Sequence, residues 1–134
     1  LRMVAELNVG DRVLIHPPVA HRELPLLYAL ADGGIFPSIG DEAFGITIAE
    51  AMACGLPVVA SHIGGIPEVV GNEGSCGVLA PPGDPLAWAQ AMADLATDAA
   101  RREALGAAAA ERIRNLFTWK QAALRLLEAL KAAR

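Results

Sequence analysis

The chain is poor in the residues that small proteins use as staples. Its 134 residues hold two cysteines, Cys54 and Cys76, and three histidines, His16, His21 and His62. A structural zinc needs four clustered Cys/His ligands, and no such cluster is written here. The residues show no secretory leader pattern, so the expectation is reduced thiols and a cytoplasmic setting. Basic charge is also short, with 11 Lys and Arg against 15 Asp and Glu, a net charge of −4 and a pI near 5.3. Such a chain offers no basic face to a nucleic-acid backbone, which excludes nucleic acid as a partner. There is no G-x-G-x-x-G between a strand and a helix, which excludes a dinucleotide-binding oxidoreductase. Repeats, low-complexity tracts and linkers are missing too. The one long apolar stretch, Ala43 to Ser61, carries Glu50 as its only charge. Gly45, Glu50, Gly55 and Pro57 interrupt it, so it is not read as a membrane span.

What is present is globular. A hydrophobic fraction of 54% with 19% charged residues excludes disorder. The length suits one domain, 1–134, able to bury a core without disulfides or metals. Leu1, Val4, Ala5 and Leu7 recur at helical spacing up to a stop at Asn8-Val9-Gly10, so the chain opens inside a helix and is read as part of a longer one. Arg12 to His16 reads as a strand ended by Pro17-Pro18. His21 to Ala31 reads as a helix, Gly34 to Pro37 as a strand and Phe44 to Ala53 as a helix stopped by Gly55. Pro57 to Ser61 does not alternate and reads as a strand buried on both faces. Gly64-Gly65 is a turn before a short helix to Val70, and Gly77 to Ala80 a last strand. Three helices follow: Pro85–Ala96 capped by Asp84, Ala99–Leu116, and Trp119–Ala132 capped by Thr118, with Ala122, Leu126, Leu127 and Leu130 on one face. Strands alternating with helices through short loops imply an α/β fold, a Rossmann-like parallel sheet with helices on both faces. Ligands bind such sheets at the carboxyl ends of the strands.

The chemistry concentrates between Pro37 and Ser61. Glu42 and Glu50 are eight residues apart, roughly 12 Å along the axis if the stretch between them is mostly helix. Between them a helix N-terminus presents the free amides of Phe44, Gly45, Ile46 and Thr47, a ready anion site that Gly45 lets a phosphate approach closely. The segment can thus offer carboxylates for sugar and ribose hydroxyls and amides for a diphosphate. Asp41 and Glu42 could equally cap the helix, and Glu50 could sit on an exposed face. Against the latter, Ile48, Ala49, Ala51, Met52 and Ala53 leave no evident solvated stripe, and a buried carboxylate needs a polar partner.

The pattern P-S-x(3)-E-x-F-G-I-T-x-x-E-A-M-A-x-G-x-P-V-V-A-S, followed by G-G-x-P-E, resembles the retaining nucleotide-sugar glycosyltransferases of the GT-B superfamily, most of all the sucrose-synthase and family 4 group. The V-x-I before a helix ending L-x-x-L-Y-A-L-A-D, the G-V-L-A-P-P-G-D turn and the F-T-W start of the last helix match as well. The resemblance implies that Glu42 is the catalytic carboxylate on the donor sugar, that the Phe44, Gly45, Ile46 and Thr47 amides hold the diphosphate, that Glu50 binds the ribose and that Val19 lies against the base. It implies a UDP-, GDP- or ADP-sugar donor, retention of configuration, no obligatory metal or other cofactor, and leaving-group stabilisation by aimed donors. Pro17 stands where the family usually has glycine, and Ala43 where proline or serine is common. The family's domain begins with two further strands carrying an Arg and a Lys for the diphosphate, placed between strands 12–16 and 34–37, and it is preceded by an acceptor-binding N-terminal domain. None of these is written here, so the isolated chain is expected not to turn over substrate, and either to be marginal or to pair with another copy through open strand edges. A non-catalytic nucleotide-binding scaffold of the same fold is the competing reading.

The remaining candidates have plainer readings. The three histidines are not at metal spacing and are read as non-catalytic. Cys54 and Cys76 are read as small core residues, Arg101, Arg102, Arg112 and Arg114 as a solvated helix face, and Trp119 as a packing anchor for the last helix.

Overall fold

The computed structural model describes residues 2–72 and 74–133. Helix α1 spans Arg2–Glu6, and Asn8 beyond it takes a left-handed φ of 52°. Leu1, part of the expected helical pattern, lies outside the described residues. A 3-10 turn at His21–Glu23 leads into α2, Leu24–Leu30. Then follow β1, Gly34–Phe36; α3, Ile46–Ala53; β2, Val58–Ser61; α4, Ile66–Val70; and β3, Val78–Ala80. Helices α5, Pro85–Thr97, α6, Ala99–Leu116, and α7, Trp119–Ala132, complete the order. The strands form one parallel sheet in the order β1-β2-β3, with Gly34 opposite Val58 and Val59 opposite Val78.

Strand β2 is buried at all four positions because both faces are covered. Side chains alternate across a strand, so Val58 and Ala60 enter one core with Ile48, Met52, Ile66, Val69, Val70 and Ile113. Val59 enters the other with Ala80, Trp88, Leu95 and Leu105. The expected α/β sheet with helices on both faces is therefore present. Burying each large apolar side chain is worth roughly 1.5–3 kcal/mol; the first cluster fixes α3 against one face of the sheet, and the second fixes α5 and α6 against the other.

The caps follow the sequence. The Asp84 carboxylate accepts from the Leu86 and Ala87 amides at 3.1 Å, with Pro85 in the first turn, and the Thr118 hydroxyl accepts from Gln121 at 3.2 Å. Gly55 turns out of α3 with φ +79°. The apolar stretch 43–61 is thus broken into a helix, a turn and a strand, and no helix among the described residues is long and apolar enough to cross a membrane.

Four expectations are corrected. Arg12 to His16 is not a strand: Gly10–Arg12 is a 3-10 turn, and the residues after it pair with no strand of the sheet. A β-branched run gains its ladder only from a neighbour, and Leu14 is 86% exposed here. Arg102 and Arg112 are half-buried rather than part of a free, solvated face. Arg102 donates to the Leu95 and Ala96 carbonyls, closing the end of α5, and Arg112 donates to the Glu68 and Val69 carbonyls at 2.7 and 2.8 Å, closing the end of α4. Cys54 is exposed rather than core, since it sits at the end of α3 on the side away from the sheet. Trp119 is 92% exposed and anchors nothing among the described residues; α7 buries none of its side chains.

Candidate functional site

The loop leaving β1 and the loop leaving β2 meet over the start of α3, at the carboxyl ends of two parallel strands. Helix α3 begins at Ile46, two residues later than the sequence spacing suggests. Gly45 holds φ at +86°, outside the helical region, and a Cβ there would press on the Ile48 side chain at 3.0 Å. Helix therefore covers only part of the stretch between the two glutamates, and the axial separation estimated for a mostly helical segment does not apply.

Glu42 is half-buried and folds back over this terminus. Its Oε1 accepts from the Gly45 amide at 3.1 Å and, more weakly, from the Phe44 amide at 3.4 Å. The capping alternative left open by the sequence is thus realised by Glu42, while Asp41 is exposed. These amides already hold an anion, the carboxylate. The Ile46 and Thr47 amides lie ahead of the first bond of the helix, Ala49 to the Gly45 carbonyl at 3.0 Å. The Phe44 ring stacks edge-on with Phe117 at 5.5 Å, and the Arg112 guanidinium lies over Phe117 at 5.8 Å. One arginine so ties together α4, α6 and the loop before α3.

The second loop is pressed against the first. Gly65 donates its amide to the Glu42 carbonyl at 2.8 Å. A Cβ on Gly64 would fall 2.2 Å from the Glu42 carbonyl oxygen, and one on Gly65 2.1 Å from that of Ala43. Both glycines are therefore needed for close approach.

Glu50 is the correction of most consequence. Helix α3 buries Ile48, Ala51 and Met52, which leaves Ile46, Thr47, Glu50 and Ala53 toward the opposite side. That side is not covered by the sheet, and Glu50 on it is half-buried, with 28% of its side chain exposed. Its polar partner is within the chain: His21 Nε2 lies 2.6 Å from Glu50 Oε1. His21 is set by the 3-10 turn, where Glu23 Oε2 accepts from the Ala20 amide at 3.2 Å and the Glu23 amide donates to the Ala20 carbonyl. Val19, half-buried, lies two residues earlier in the same segment. Tyr28, also half-buried between α2 and α3, has its phenol pushed above the ordinary range by burial, and further by the charges of Glu50 and Cys54.

The structure thus brings Glu42, Phe44 and Gly45 together with Gly64 and Gly65, and joins the Val19 segment to Glu50 through His21. Sequence reasoning missed His21, Gly65 as a support for Glu42, and the Arg112–Phe117–Phe44 stack. Only the paired glycines left a signal, as a turn. A bond across 29 residues leaves none.

A family model described as Glycosyl transferases group 1 matches residues 2–112. A D-inositol 3-phosphate glycosyltransferase of Xylanimonas cellulosilytica is 45% identical over 123 residues, 92% of this chain and 29% of the relative. Sucrose-phosphate synthase of Thermosynechococcus elongatus superposes with a TM-score of 0.87 at 39% identity, over 99% of this chain and 34% of that one. HepE of Anabaena in complex with UDP superposes with a TM-score of 0.89 at 28% identity, over 98% of this chain and 35% of that one. HepE is also known in complex with UDP-glucose. The chain spans about a third of the length of these relatives. The family match runs from α1 into α6, across the elements that build the site, and the chain belongs to the group 1 glycosyl transferases.

Proposed function

We propose that this chain is the donor-binding part of a glycosyltransferase that uses a nucleotide-diphosphate sugar and retains the anomeric configuration. The observation that carries the reading is the start of α3: amides of Phe44 and Gly45 that hold a carboxylate, with a half-buried glutamate before the helix and another within it. In this reading the Glu42 carboxylate gives up the Phe44 and Gly45 amides when the donor binds and meets hydroxyls of the donor sugar, and the Phe44, Gly45, Ile46 and Thr47 amides hold the diphosphate. Glu50 takes the ribose hydroxyls, and Val19 lies against the base. Catalysis is electrostatic: the helix terminus offers partial positive charge and fixed donors where the leaving diphosphate gathers negative charge. No obligatory metal enters this scheme. UDP and UDP-glucose in the HepE complexes favour a uridine donor over a guanosine or adenosine one.

The chain spans about a third of the relatives it matches, and in this reading acceptor binding belongs to the remainder of such a protein, so turnover by this chain alone is not expected. We assign the protein to the cytoplasm. Strand β1 is an edge of the sheet, a face through which the isolated chain would self-associate.

The test is a protein-detected NMR titration of the chain, and of the full-length gene product, with UDP, GDP, ADP and their sugar conjugates. The expected result is shifts confined to residues 42–50 and the segment at Val19, with UDP compounds binding tightest and Glu50→Ala weakening them. A folded full-length protein that responds to none of these nucleotides would leave only the scaffold reading.

A further inference from the structure

We infer that His21 is a positioning residue for ribose recognition, holding the Glu50 carboxylate in the orientation that receives a cis-diol. The inference rests on the proposed role of Glu50 and adds to it a second residue from a different element.

The bond from His21 Nε2 to Glu50 Oε1, at 2.6 Å, is shorter than a typical charge-assisted N–H to carboxylate contact of about 2.7–2.9 Å. A carboxylate has about four acceptor positions on its two oxygens. The single histidine bond takes one position on Oε1 and leaves the others, including all of Oε2, for two hydroxyls.

The need for a holder follows from where Glu50 stands. It is on the side of α3 away from the sheet, beside a cavity of about 210 Å³ lined by Leu24, Pro25, Tyr28 and Cys54 as well as by the pair itself. Glutamate is among the side chains with most rotamer freedom to lose, and neither the Tyr28 hydroxyl nor the Cys54 thiol bonds it. The titratable groups that border the cavity are His21 and Tyr28 from the α2 side and Cys54 from the end of α3. Only His21 bonds the carboxylate among the described residues. The backbone that carries the imidazole is itself set by the turn closed by Glu23 on Ala20. A diol arriving at Glu50 then meets a carboxylate already ordered, which removes part of the cost of binding.

The experiment measures Kd for UDP and for 2′-deoxy-UDP with the full-length gene product, as wild type, Glu50→Ala, His21→Ala, His21→Gln and the double variant His21→Ala/Glu50→Ala. His21 is 81% exposed, so its replacement leaves the fold intact, which circular dichroism checks. Glu50→Ala is expected to erase the preference for UDP over the deoxy form. His21→Ala is expected to shrink that preference by up to about fivefold, the size of an exposed ion-pair contribution, and His21→Gln, which keeps a donor, to restore most of it. His21→Ala should add nothing in the Glu50→Ala background. Equal loss for both ligands, or an unchanged preference in His21→Ala while Glu50→Ala erases it, would overturn the positioning role alone. A preference that survives Glu50→Ala would overturn the ribose assignment itself, and the role of His21 with it.

Discussion

Gly65 donates its amide to the carbonyl oxygen of Glu42 at 2.8 Å, so the loop after β2 sets the height of the loop after β1. A Cβ at Gly65 would fall 2.1 Å from the Ala43 carbonyl oxygen, a backbone atom that no rotamer change can move aside. Gly65→Ala should therefore push residues 42–44 outward and carry both Glu42 and the Phe44 amide out of register with the donor. The expected outcome is a Kd for UDP-glucose raised about tenfold or more, close to 1.4 kcal/mol, with helical content retained. Isothermal titration on the full-length gene product checks it, and wild-type affinity in the variant would show that the two loops move independently.

Gly106 plays the same part where α6 crosses the end of α3. It is buried inside a helix, and its Cβ would fall 2.2 Å from the Gly55 carbonyl oxygen. Alanine gains about 1 kcal/mol over glycine in an exposed helix interior. Here the gain is outweighed, because α6 would have to retreat from the Gly55 turn, an overpacking cost of typically 1–3 kcal/mol. Gly106→Ala is expected to lower the urea midpoint with an unchanged m value; a raised midpoint would mean that the helix accommodates the methyl.

Ser61 ends β2 fully buried, and its hydroxyl finds no hydrogen-bond partner among the described residues. An unpaired buried hydroxyl is a cost of about 1–3 kcal/mol, so removing it should not destabilise. Ser61→Ala is expected to leave Tm unchanged or raise it. A clear fall in thermal unfolding would reveal a bonded hydroxyl.

Tyr28 couples stability to alkaline pH. Burial, and then the charges of Glu50 and Cys54, raise its phenol above the ordinary value near 10. The folded state thus keeps the proton after the unfolded chain has lost it. The associated stability is full below pH 10 and is lost as pH climbs through the raised value. Urea unfolding between pH 9 and pH 11 should show a steeper decline for wild type than for Tyr28→Phe, and parallel curves would remove the coupling.

The motif and the local structure were legible in the sequence because they depend on near neighbours. The Asp84 and Thr118 caps, Pro85 in a first turn and the left-handed Gly55 are all set within a few residues, and the unbroken apolar run of β2 is equally local, although the helices that cover it are not. The resemblance carried by the segment around Glu42 and Glu50 led to the family, and the match over residues 2–112 agrees with it. Tertiary structure decided the rest. Apolar neighbours suggested a buried Glu50, yet burial depends on which side of α3 meets the sheet, and helical rotation turns Ile46, Glu50 and Ala53 away from it. Val13, Leu14 and Ile15 have strand composition, but a strand exists only beside a partner. Arg112 reads as part of a solvated helix face and His21 as a histidine without a role because their acceptors, at Glu68, Val69 and Glu50, are 29 to 44 residues away. Short-range rules fix caps and turns, while partners so far apart in sequence are chosen only when the packed sheet brings their elements together.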